Sequence, residues 1–376
     1  MKFEQVPTPS YIVEEDKLIK NLEVLQSIEK CTGAKVLLAQ KCFSMFYEYP
    51  LIAKYISGCT ASGLYEARLG YEEMGKENHI FSPAFREEEF SEITDICDHV
   101  IFNSVAQLKK FRGICEAKGV SFGLRINPEC STQGDHAIYD PCAPGSRLGV
   151  TASQLSQKDL EGVEGLHFHT LCEQNSDDLV TTFEAFERNF GQYLYNMKWL
   201  NMGGGHHITR ADYDVEKLVD LISQIEDKYH VDVYLEPGEA VALNAGILKT
   251  KVLDIVENSG IKTLILDASA ACHMPDVLEM PYRPPLKNSG EAGEKKYTYR
   301  LSSFTCLAGD IIGDYSFDNE IAIGDILEFE DMAIYSMVKN NTFNGIALPH
   351  IVAKKPEGDY VIVKSFGYED FKNRLS

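Results

Sequence analysis

Residues 199–207 read WLNMGGGHH, a short apolar segment that ends at three consecutive glycines and two histidines. Two other segments have the same order. GLHFH at 165–169 and VDVYLE at 231–236 both pass from apolar residues into polar or charged ones. Short apolar segments separated by helical periodicity are typical of parallel strands in α/β proteins. The sequence therefore predicts buried strands whose carboxyl ends carry polar side chains.

Strand candidates of this kind alternate with helix-like segments over roughly 220 residues, as expected of a (β/α)8 barrel. The eight candidates lie at 36–39, 59–60, 80–81, 100–102, 122–126, 165–168, 199–202 and 231–235. Helix candidates include 16–30, 104–117 with Ser104 as its N-cap, and 214–229. We predict a TIM-like (β/α)8 barrel over residues 16–245.

The pattern changes after about residue 245, where strand-rich segments are separated by charged and Gly/Pro turns. These strand candidates lie at 247–256, 262–267, 297–306, 326–329 and 360–364. The segment 9–13 also reads as a strand, and Asn258-Ser259-Gly260 fits a hairpin turn. We expect residues 1–15 and 246–376 to form an all-β domain, a β-sandwich or β-barrel that the N-terminal strand joins.

The chain has 376 residues with a net charge of −21, from 57 acidic and 36 basic side chains. Its hydrophobic fraction of 44% excludes a disordered protein, because that fraction can bury a large core. The acidic balance argues against nucleic-acid binding, which needs clustered Lys and Arg. It suits a cationic partner, although a solvated surface is the simpler explanation of the total charge.

The sequence contains no pattern typical of a membrane span, a secretion signal or a zinc ribbon. No stretch approaches the roughly twenty apolar residues that a membrane span requires. The start, MKFEQ, lacks a signal-peptide pattern. We therefore expect a cytoplasmic protein with no membrane partner. None of the ten cysteines forms a C-x-x-C pair, so neither a zinc ribbon nor a redox pair is indicated.

Active sites of (β/α)8 barrels lie at the carboxyl ends of the strands. Those ends carry, in chain order, Lys41, His169, Gly203, Gly204, Gly205 and Glu236. Three glycines let backbone N–H groups approach a phosphate, and a lysine directly after an apolar run is a candidate Schiff-base nucleophile. A strand-end carboxylate can keep a pyridine nitrogen protonated. Together these residues favour a site for pyridoxal 5'-phosphate.

A metal site is the alternative interpretation of the same strand ends. His167, His169, His206 and His207 are residue types that ligate zinc or iron, and residues two apart on a strand share a face. A metal site would give no role to Lys41 or to the three glycines. We therefore predict no metal.

Four further motifs occur in order along nearly the whole chain: TPSY at 8–11, AQK at 39–41, SRLG at 146–149 and TFNG at 342–345. In this order they resemble the pyridoxal-phosphate decarboxylases with an alanine-racemase-like barrel, which include ornithine and diaminopimelate decarboxylases. The segments KCFS at 41–44, HFHTLCE at 167–173 and GGGHH at 203–207 are most similar to members acting on carboxylated polyamines. The resemblance implies a carboxy-lyase whose substrate is a cationic carboxylated polyamine.

The resemblance also implies roles for residues at matching positions. Lys41 would hold the cofactor covalently, His169 would stack on its ring, and Glu236 would pair with the pyridine nitrogen. The glycines at 203–205 would cradle the phosphate. Arg125 matches the family arginine near the ring and Glu236.

Two matches lie in the expected β domain. Tyr335 matches the tyrosine that reaches the phosphate. The segment FTCLAGD at 304–310 resembles the one that carries the catalytic cysteine, offered from the neighbouring subunit. Cys306 would take that role, which implies a homodimer with active sites at the subunit interface. A buried structural cysteine is the alternative for Cys306.

The chain departs from the family pattern at two positions that bear on the substrate. Glu239 stands where the family commonly has a phosphate-binding arginine, and a carboxylate cannot hold phosphate. Leu307 stands where relatives acting on diamines or diaminopimelate place an acidic residue. We expect Glu239, Asp276 and Asp310 to hold substrate ammonium groups, because a long polycation needs several separated carboxylates.

Two competing functions remain open at this point. The first is another enzyme of the same barrel: diaminopimelate decarboxylase, another basic amino-acid decarboxylase, or a racemase. The departures at Glu239 and Leu307 speak against diaminopimelate. The second is a non-catalytic cofactor-binding or regulatory relative. It is the weaker alternative, because the chain retains Lys41, Glu236, Cys306 and Tyr335 together.

Overall fold

The computed structural model describes residues 1–134 and 137–376. The chain divides into two compact units, one of Met1–Ile19 with Ala242–Ser376 and the other of Lys20–Val241. Each unit is built around its own hydrogen-bonded sheet. Within the described ranges, no helix is both long and apolar enough to cross a membrane.

The strands of the described chain are named here in sequence order. They are β1 (Ser10–Glu14), β2 (Lys35–Ala39), β3 (Gly58–Ala61), β4 (Glu77–Phe81), β5 (His99–Phe102), β6 (Ser121–Arg125), β7 (Gly165–His167), β8 (Trp199–Asn201), β9 (Asp232–Leu235), β10 (Gly246–Asn258), β11 (Ile261–Leu266), β12 (Tyr297–Ser303), β13 (Ile311–Phe317), β14 (Ile326–Glu330), β15 (His350–Lys354) and β16 (Tyr360–Lys364).

The α-helices are named in the same way. They are α1 (Glu15–Thr32), α2 (Tyr49–Ile52), α3 (Leu64–Glu73), α4 (Glu87–Ile96), α5 (Val105–Lys118), α6 (Ser176–Leu194), α7 (Val215–Tyr229), α8 (Glu239–Ala242), α9 (Ala270–His273), α10 (Asp276–Glu279) and α11 (Tyr368–Lys372).

Strands β2 to β9 form a closed parallel barrel, in which each strand pairs with the next and β9 returns to β2. Parallel strands buried on both faces read as continuous apolar runs. In β2, for example, the four residues 36–39 are all buried. The predicted (β/α)8 barrel is confirmed.

Helix boundaries in the barrel follow local capping signals. The Ser104 side chain accepts a hydrogen bond from the Gln107 N–H and begins α5, as predicted. Asp214 caps α7 in the same way through the Lys217 N–H. The β6 to β7 connection differs from the ideal unit, because its described residues form short 3-10 turns and no α-helix.

The second unit contains one eight-stranded mixed sheet of order β13-β12-β11-β10-β1-β15-β16, with β14 paired to β10. Strand β1 lies between β10, to which it is antiparallel, and β15, to which it is parallel. The expected pairing of the N-terminal strand with the β domain is confirmed. The apolar core beneath the sheet includes Tyr11, Leu248, Leu301 and Phe329, all buried.

The hairpin between β10 and β11 shows why its turn sequence matters. Asn258 pairs with Ile261, so Ser259 and Gly260 alone form the loop. Both have positive φ, 52° and 78°. A two-residue loop with positive φ at both positions matches the right-handed twist of the flanking strands.

A polar cluster fills the barrel at the amino ends of its strands. Glu77 accepts hydrogen bonds from Lys35 Nζ at 2.9 Å and the Tyr234 hydroxyl at 2.7 Å, and it contacts His79 Nε2 at 3.0 Å. His99 stacks on His79 with ring centroids 4.0 Å apart. Burial alone would raise the pKa of Glu77, but His79, Lys35 and Tyr234 hold it well below its ordinary value. The carboxylate therefore stays ionised and joins four strands.

Glu77→Gln is expected to destabilise the barrel by about 3 kcal/mol, since it leaves a half-buried lysine without its anion. The expected fall in Tm is about 6–12 °C for a unit of this size. Because the pKa of Glu77 is depressed on folding, its stabilisation is present above pH 4.5 and is lost as the pH falls below that value. Thermal melts at several pH values measure this, with exposed Glu216→Gln as the control. An unchanged Tm would contradict the assignment.

Candidate active site

Lys41 follows the end of β2 and is exposed, whereas its neighbour Gln40 is completely buried. The chain turns here because the Gln40 N–H donates to Thr60 O, and the Cys42 N–H donates back to Ala39 O. The turn projects the lysine from the carboxyl end of the strand. Lys41 thus lies on the barrel face where active sites of this fold occur.

His169 lies two residues beyond the end of β7. Its Nδ1 accepts a hydrogen bond from the Gly204 N–H at 2.8 Å, which leaves the ring proton on Nε2. Burial, the nearby Lys41 ammonium and the Arg125 guanidinium together hold its pKa well below the ordinary value. The structure therefore brings Lys41 and a neutral, oriented His169 together.

Glu236 follows the end of β9 and is almost fully buried. Its Oε1 accepts from Asn201 Nδ2 at 2.8 Å, and its Oε2 lies 3.2 Å from His167 Nε2. Burial alone would raise its pKa, but the contacts with His167 and Asn201 lower the pKa to about 2. Burial lowers the pKa of His167, so this pair consists of a neutral imidazole donor and an ionised carboxylate.

Arg125, the last residue of β6, is buried beside this group. Its Nη2 donates to the His169 carbonyl at 3.1 Å, and its guanidinium lies 4.6 Å from the centre of the Phe81 ring. Burial lowers its pKa to about 10, and the nearby Glu236 opposes that shift. The Phe81 ring also stacks on the His167 imidazole, with ring centroids 5.6 Å apart. Arg125 is therefore a fixed positive charge near Glu236 and His169.

The glycine triplet is packed too tightly for side chains. A Cβ on Gly204 would lie 2.2 Å from Glu236 O, and one on Gly205 would lie 1.9 Å from Leu171 O. The Gly203 N–H donates to Asn201 Oδ1, and the Gly204 N–H donates to His169. In the described chain, the Gly205 N–H has no protein acceptor. The triplet thus orients Asn201 and His169 through its first two N–H groups, and the Gly205 N–H is available to donate to an anion.

Glu239, the first residue of α8, takes part in a chain of polar contacts. Its Oε2 lies 2.5 Å from His207 Nε2, and Arg210 Nη1 lies 3.2 Å from His207 Nδ1. Arg210 also donates to the side chains of Asn175 and Asp212. Glu239 is therefore a carboxylate held in place from one side. Its Oε1 carries no contact among those described here.

In the β unit, Cys306 is exposed on the loop between β12 and β13. Its N–H donates to Asn344 Oδ1 at 2.7 Å, which links the FTCLAGD segment to the TFNG motif. Asp310 closes the same loop. Its carboxylate accepts from the following groups: Ser269 Oγ, Ala270 N, Ala271 N, Ser303 Oγ and Thr305 Oγ1.

These five donors change the interpretation of Asp310. The side chain is buried, with 1% exposed. A carboxylate has about four lone-pair sites, and they are used here by Ser303 and Thr305 beside the loop and by residues 269–271 at the start of α9. The structure therefore favours Asp310 as the residue that shapes the Cys306 loop and argues against its direct contact with a substrate.

The other two residues singled out in the β unit have different environments. Asp276 begins α10 and forms an ion pair with Lys339, which also contacts Glu279. Tyr335 has a φ of 51°. Positive φ is uncommon for a large side chain and marks a backbone held by its surroundings, often at functional positions.

The four histidines of the metal interpretation contact different partners. His167 faces Glu236, His169 faces the Gly204 N–H, and His207 faces Glu239. In the described part of the chain, both ring nitrogens of His206 are buried without a hydrogen-bond partner. Among the described residues, the cluster with metal-ligand types in mutual reach is Glu77, His79 and His99 at the opposite end of the barrel strands, where Lys35 and Tyr234 already engage the carboxylate.

Sequence reasoning missed Asn201, Arg210 and Glu66. Asn201 stands two residues before the glycines, but its contacts depend on the pairing of β8 with β9. Glu66 of α3 accepts from the Ser62 N–H, and burial raises its pKa while Lys41 opposes that shift. The carboxylate therefore lies near Lys41. Polar residues at strand ends were the signal that the sequence offered. Glu66 lies in the first turn of a helix, where that signal does not apply.

Comparisons with known proteins agree with this geometry. A family model described as pyridoxal-dependent decarboxylase, C-terminal sheet domain, matches residues 23–333. A carboxynorspermidine/carboxyspermidine decarboxylase of Campylobacter jejuni is 44% identical over 385 positions, covering 100% of both chains. A carboxyaminopropylagmatine decarboxylase of Synechocystis sp. is 39% identical over 376 positions, covering 100% of this chain and 97% of that protein.

A solved structure is similar over the same extent. The crystal structure of carboxynorspermidine decarboxylase complexed with norspermidine, from Campylobacter jejuni, has a TM-score of 0.92 to this chain at 43% identity. The match covers 98% of this chain and 100% of that one. The family resemblance seen in the motifs is thereby confirmed. Matched by the family model over most of its length and by full-length relatives, the chain belongs to the pyridoxal-dependent decarboxylases.

Proposed function

We propose that this decarboxylase converts carboxynorspermidine, carboxyspermidine or both into norspermidine or spermidine and CO2, in polyamine biosynthesis. The observation that carries the proposal is the 44% identity, over the whole of both chains, to a carboxynorspermidine/carboxyspermidine decarboxylase. The site supports it, because Lys41, His169 and an ionised Glu236 share one barrel face. We further propose a homodimer, as the family resemblance implies, located in the cytoplasm.

The residues of the barrel fit pyridoxal 5'-phosphate. Lys41 is an exposed amine at a strand end, and Glu236 is a buried, ionised acceptor suited to a protonated pyridine nitrogen. The Gly205 N–H offers a donor to phosphate in a loop too crowded for side chains. When bound, the cofactor supplies an electron sink for the carbanion that loss of CO2 creates.

The protein's own groups would then have separate tasks. Lys41 would hold the cofactor through its amine, and His169 would support the ring with a fixed tautomer. Arg125 holds the His169 backbone through its contact with the carbonyl. Tyr335 is proposed to reach the phosphate. Cys306, offered from the neighbouring subunit, is proposed to return a proton to Cα after CO2 leaves.

Glu239 is the proposed contact for a substrate ammonium group. His207 and Arg210 hold it from one side, so the carboxylate is oriented before the substrate arrives. An oriented carboxylate loses less side-chain entropy on binding a flexible polycation. Asp276 remains a second candidate, with Lys339 as its present partner.

Glu239→Gln is expected to raise the KM for the polyamine substrate by about 10- to 100-fold, since it removes a charged hydrogen-bond acceptor. The affinity for pyridoxal phosphate should not change. Steady-state kinetics and cofactor titration measure the two effects, with exposed Glu216→Gln as the matched control. An unaltered KM would exclude Glu239 from substrate binding.

Carboxyaminopropylagmatine is the second candidate substrate, because a relative acting on it is 39% identical over the full chain. It would place a guanidinium where the polyamines place an ammonium. Measuring CO2 release from carboxynorspermidine, carboxyspermidine, carboxyaminopropylagmatine and diaminopimelate decides among them. Preference for diaminopimelate or carboxyaminopropylagmatine would overturn the first assignment.

A further inference from the structure

Asn201 lies between Glu236 and the glycine triplet, and its side chain is bonded to both. It is the last residue of β8 and is completely buried. Its Nδ2 donates to Glu236 Oε1 at 2.8 Å, and its Oδ1 accepts from the Gly203 N–H at 2.8 Å. The Glu236 N–H in turn donates to Gly203 O at 2.7 Å. One side chain therefore joins the Glu236 carboxylate, which follows β9, to the glycine loop.

The chemistry of these two neighbours requires an amide at position 201. Glu236 needs a donor, because it is an ionised acceptor, and the Gly203 N–H needs an acceptor. An amide side chain supplies one of each in a fixed geometry, whereas a carboxylate supplies acceptors only. An unpaired buried donor or acceptor is costly, so both contacts constrain the residue type.

His167 completes the support of Glu236 from the adjacent strand β7. Its Nε2 lies 3.2 Å from Glu236 Oε2, and its Nδ1 is buried with no partner among residues 1–134 and 137–376, which favours the ring proton on Nε2. The Phe81 ring is stacked near the imidazole at an interplanar angle of 13°. Both oxygens of Glu236 are thus held by neutral donors on packed side chains.

We propose that Asn201 is a positioning residue, which together with His167 orients Glu236 and maintains it as a single ionised acceptor for the pyridine nitrogen. The inference rests on the proposed function, because Glu236 has this task only when pyridoxal phosphate is bound. The other charged and titratable groups that act on Glu236 are Arg125 of β6, His79 of β4 and His206 after β8.

Asn201→Asp tests the proposal with a nearly isosteric change. The new carboxylate keeps the Gly203 N–H but replaces the donor to Glu236 with a second negative charge. Two carboxylates at this distance share a proton and a single negative charge, so Glu236 no longer carries a full charge at neutral pH. We expect kcat to fall by about 10- to 100-fold at pH 7 and to recover as the pH rises. The visible absorbance of the bound cofactor should shift over the same pH range.

The wild-type protein should show no such pH dependence from Glu236. The matched control is Asn189→Asp on α6, whose amide contacts only Pro128 O among the bonds described. It should keep the wild-type profile. His167→Leu should show the same dependence of kcat on pH as Asn201→Asp, in weaker form. His167→Gln supplies an amide donor to Glu236 and should therefore keep the wild-type pH profile.

The outcomes separate this inference from the function on which it rests. A wild-type protein without a visible band that borohydride bleaches overturns the proposed cofactor, and the inference with it. A wild-type protein that binds the cofactor, with Asn201→Asp indistinguishable from it in absorbance and pH profile, overturns the inference alone. If Asn201→Asp does not fold, the His167→Leu and His167→Gln pair provides the same comparison.

Discussion

Lys41→Ala is expected to abolish turnover, with a loss of at least about 10³-fold, because it removes the amine that is proposed to hold the cofactor. The visible band that borohydride bleaches should disappear as well. The fold should persist, since Lys41 is exposed and projects from a turn whose hydrogen bonds are made by the backbone. Absorbance, CO2 release and thermal melts measure the three effects.

The control for this variant is Lys54→Ala, which removes another exposed lysine of the same unit. It should retain both the band and the activity. A Lys41→Ala protein that keeps the bleachable band and turns over would falsify the assignment of Lys41. Loss of the fold instead of the band would point to a structural lysine.

Glu236→Gln is the second large effect, with an expected fall in kcat of about 10²- to 10³-fold. The substitution keeps the size of the side chain and removes the charge that is proposed to favour a protonated pyridine nitrogen, so the cofactor should become a weaker electron sink. KM should change little, because the lost interaction strengthens only as charge develops on the ring.

The ionisation of Glu236 also predicts how the activity of the wild-type protein depends on pH. The pKa of Glu236 is lowered to about 2, so the wild-type carboxylate is ionised over the whole working range and gives no inflection near its ordinary value of 4.5. Glu187→Gln, a surface change at the Lys228 ion pair, serves as the control. If Glu236→Gln retains the wild-type kcat, the carboxylate does not serve the pyridine nitrogen.

The barrel was predictable because its signal is local. Each strand is a short apolar run, each helix has its own periodicity, and Ser104 and Asp214 mark helix starts by capping. Strands β13 and β15 were not predicted. Gly313 interrupts the apolar sequence pattern of β13. The short strand β15 forms beside β1, a partner more than 300 residues earlier in the chain.

The candidate site was predictable in its residue types and less so in its contacts. A lysine, a histidine and a carboxylate at successive strand ends could be read from the sequence. The bridge made by Asn201 could not, because it depends on the register that sets β8 against β9. The burial of Asp310 under five donors likewise arises from segments about 40 residues apart, as the Ser269 contact shows.

The position of β1 has a consequence for the order in which the chain acquires its structure. Ser10 pairs with Lys249 on one side and with His350 on the other. During synthesis, β1 leaves the ribosome early but has no partner strand until the whole barrel has been made. Domains generally fold as units while the chain is extended. We therefore expect the barrel to fold first and the sheet, in which β1 is an interior strand, to close only when residues 350–354 emerge.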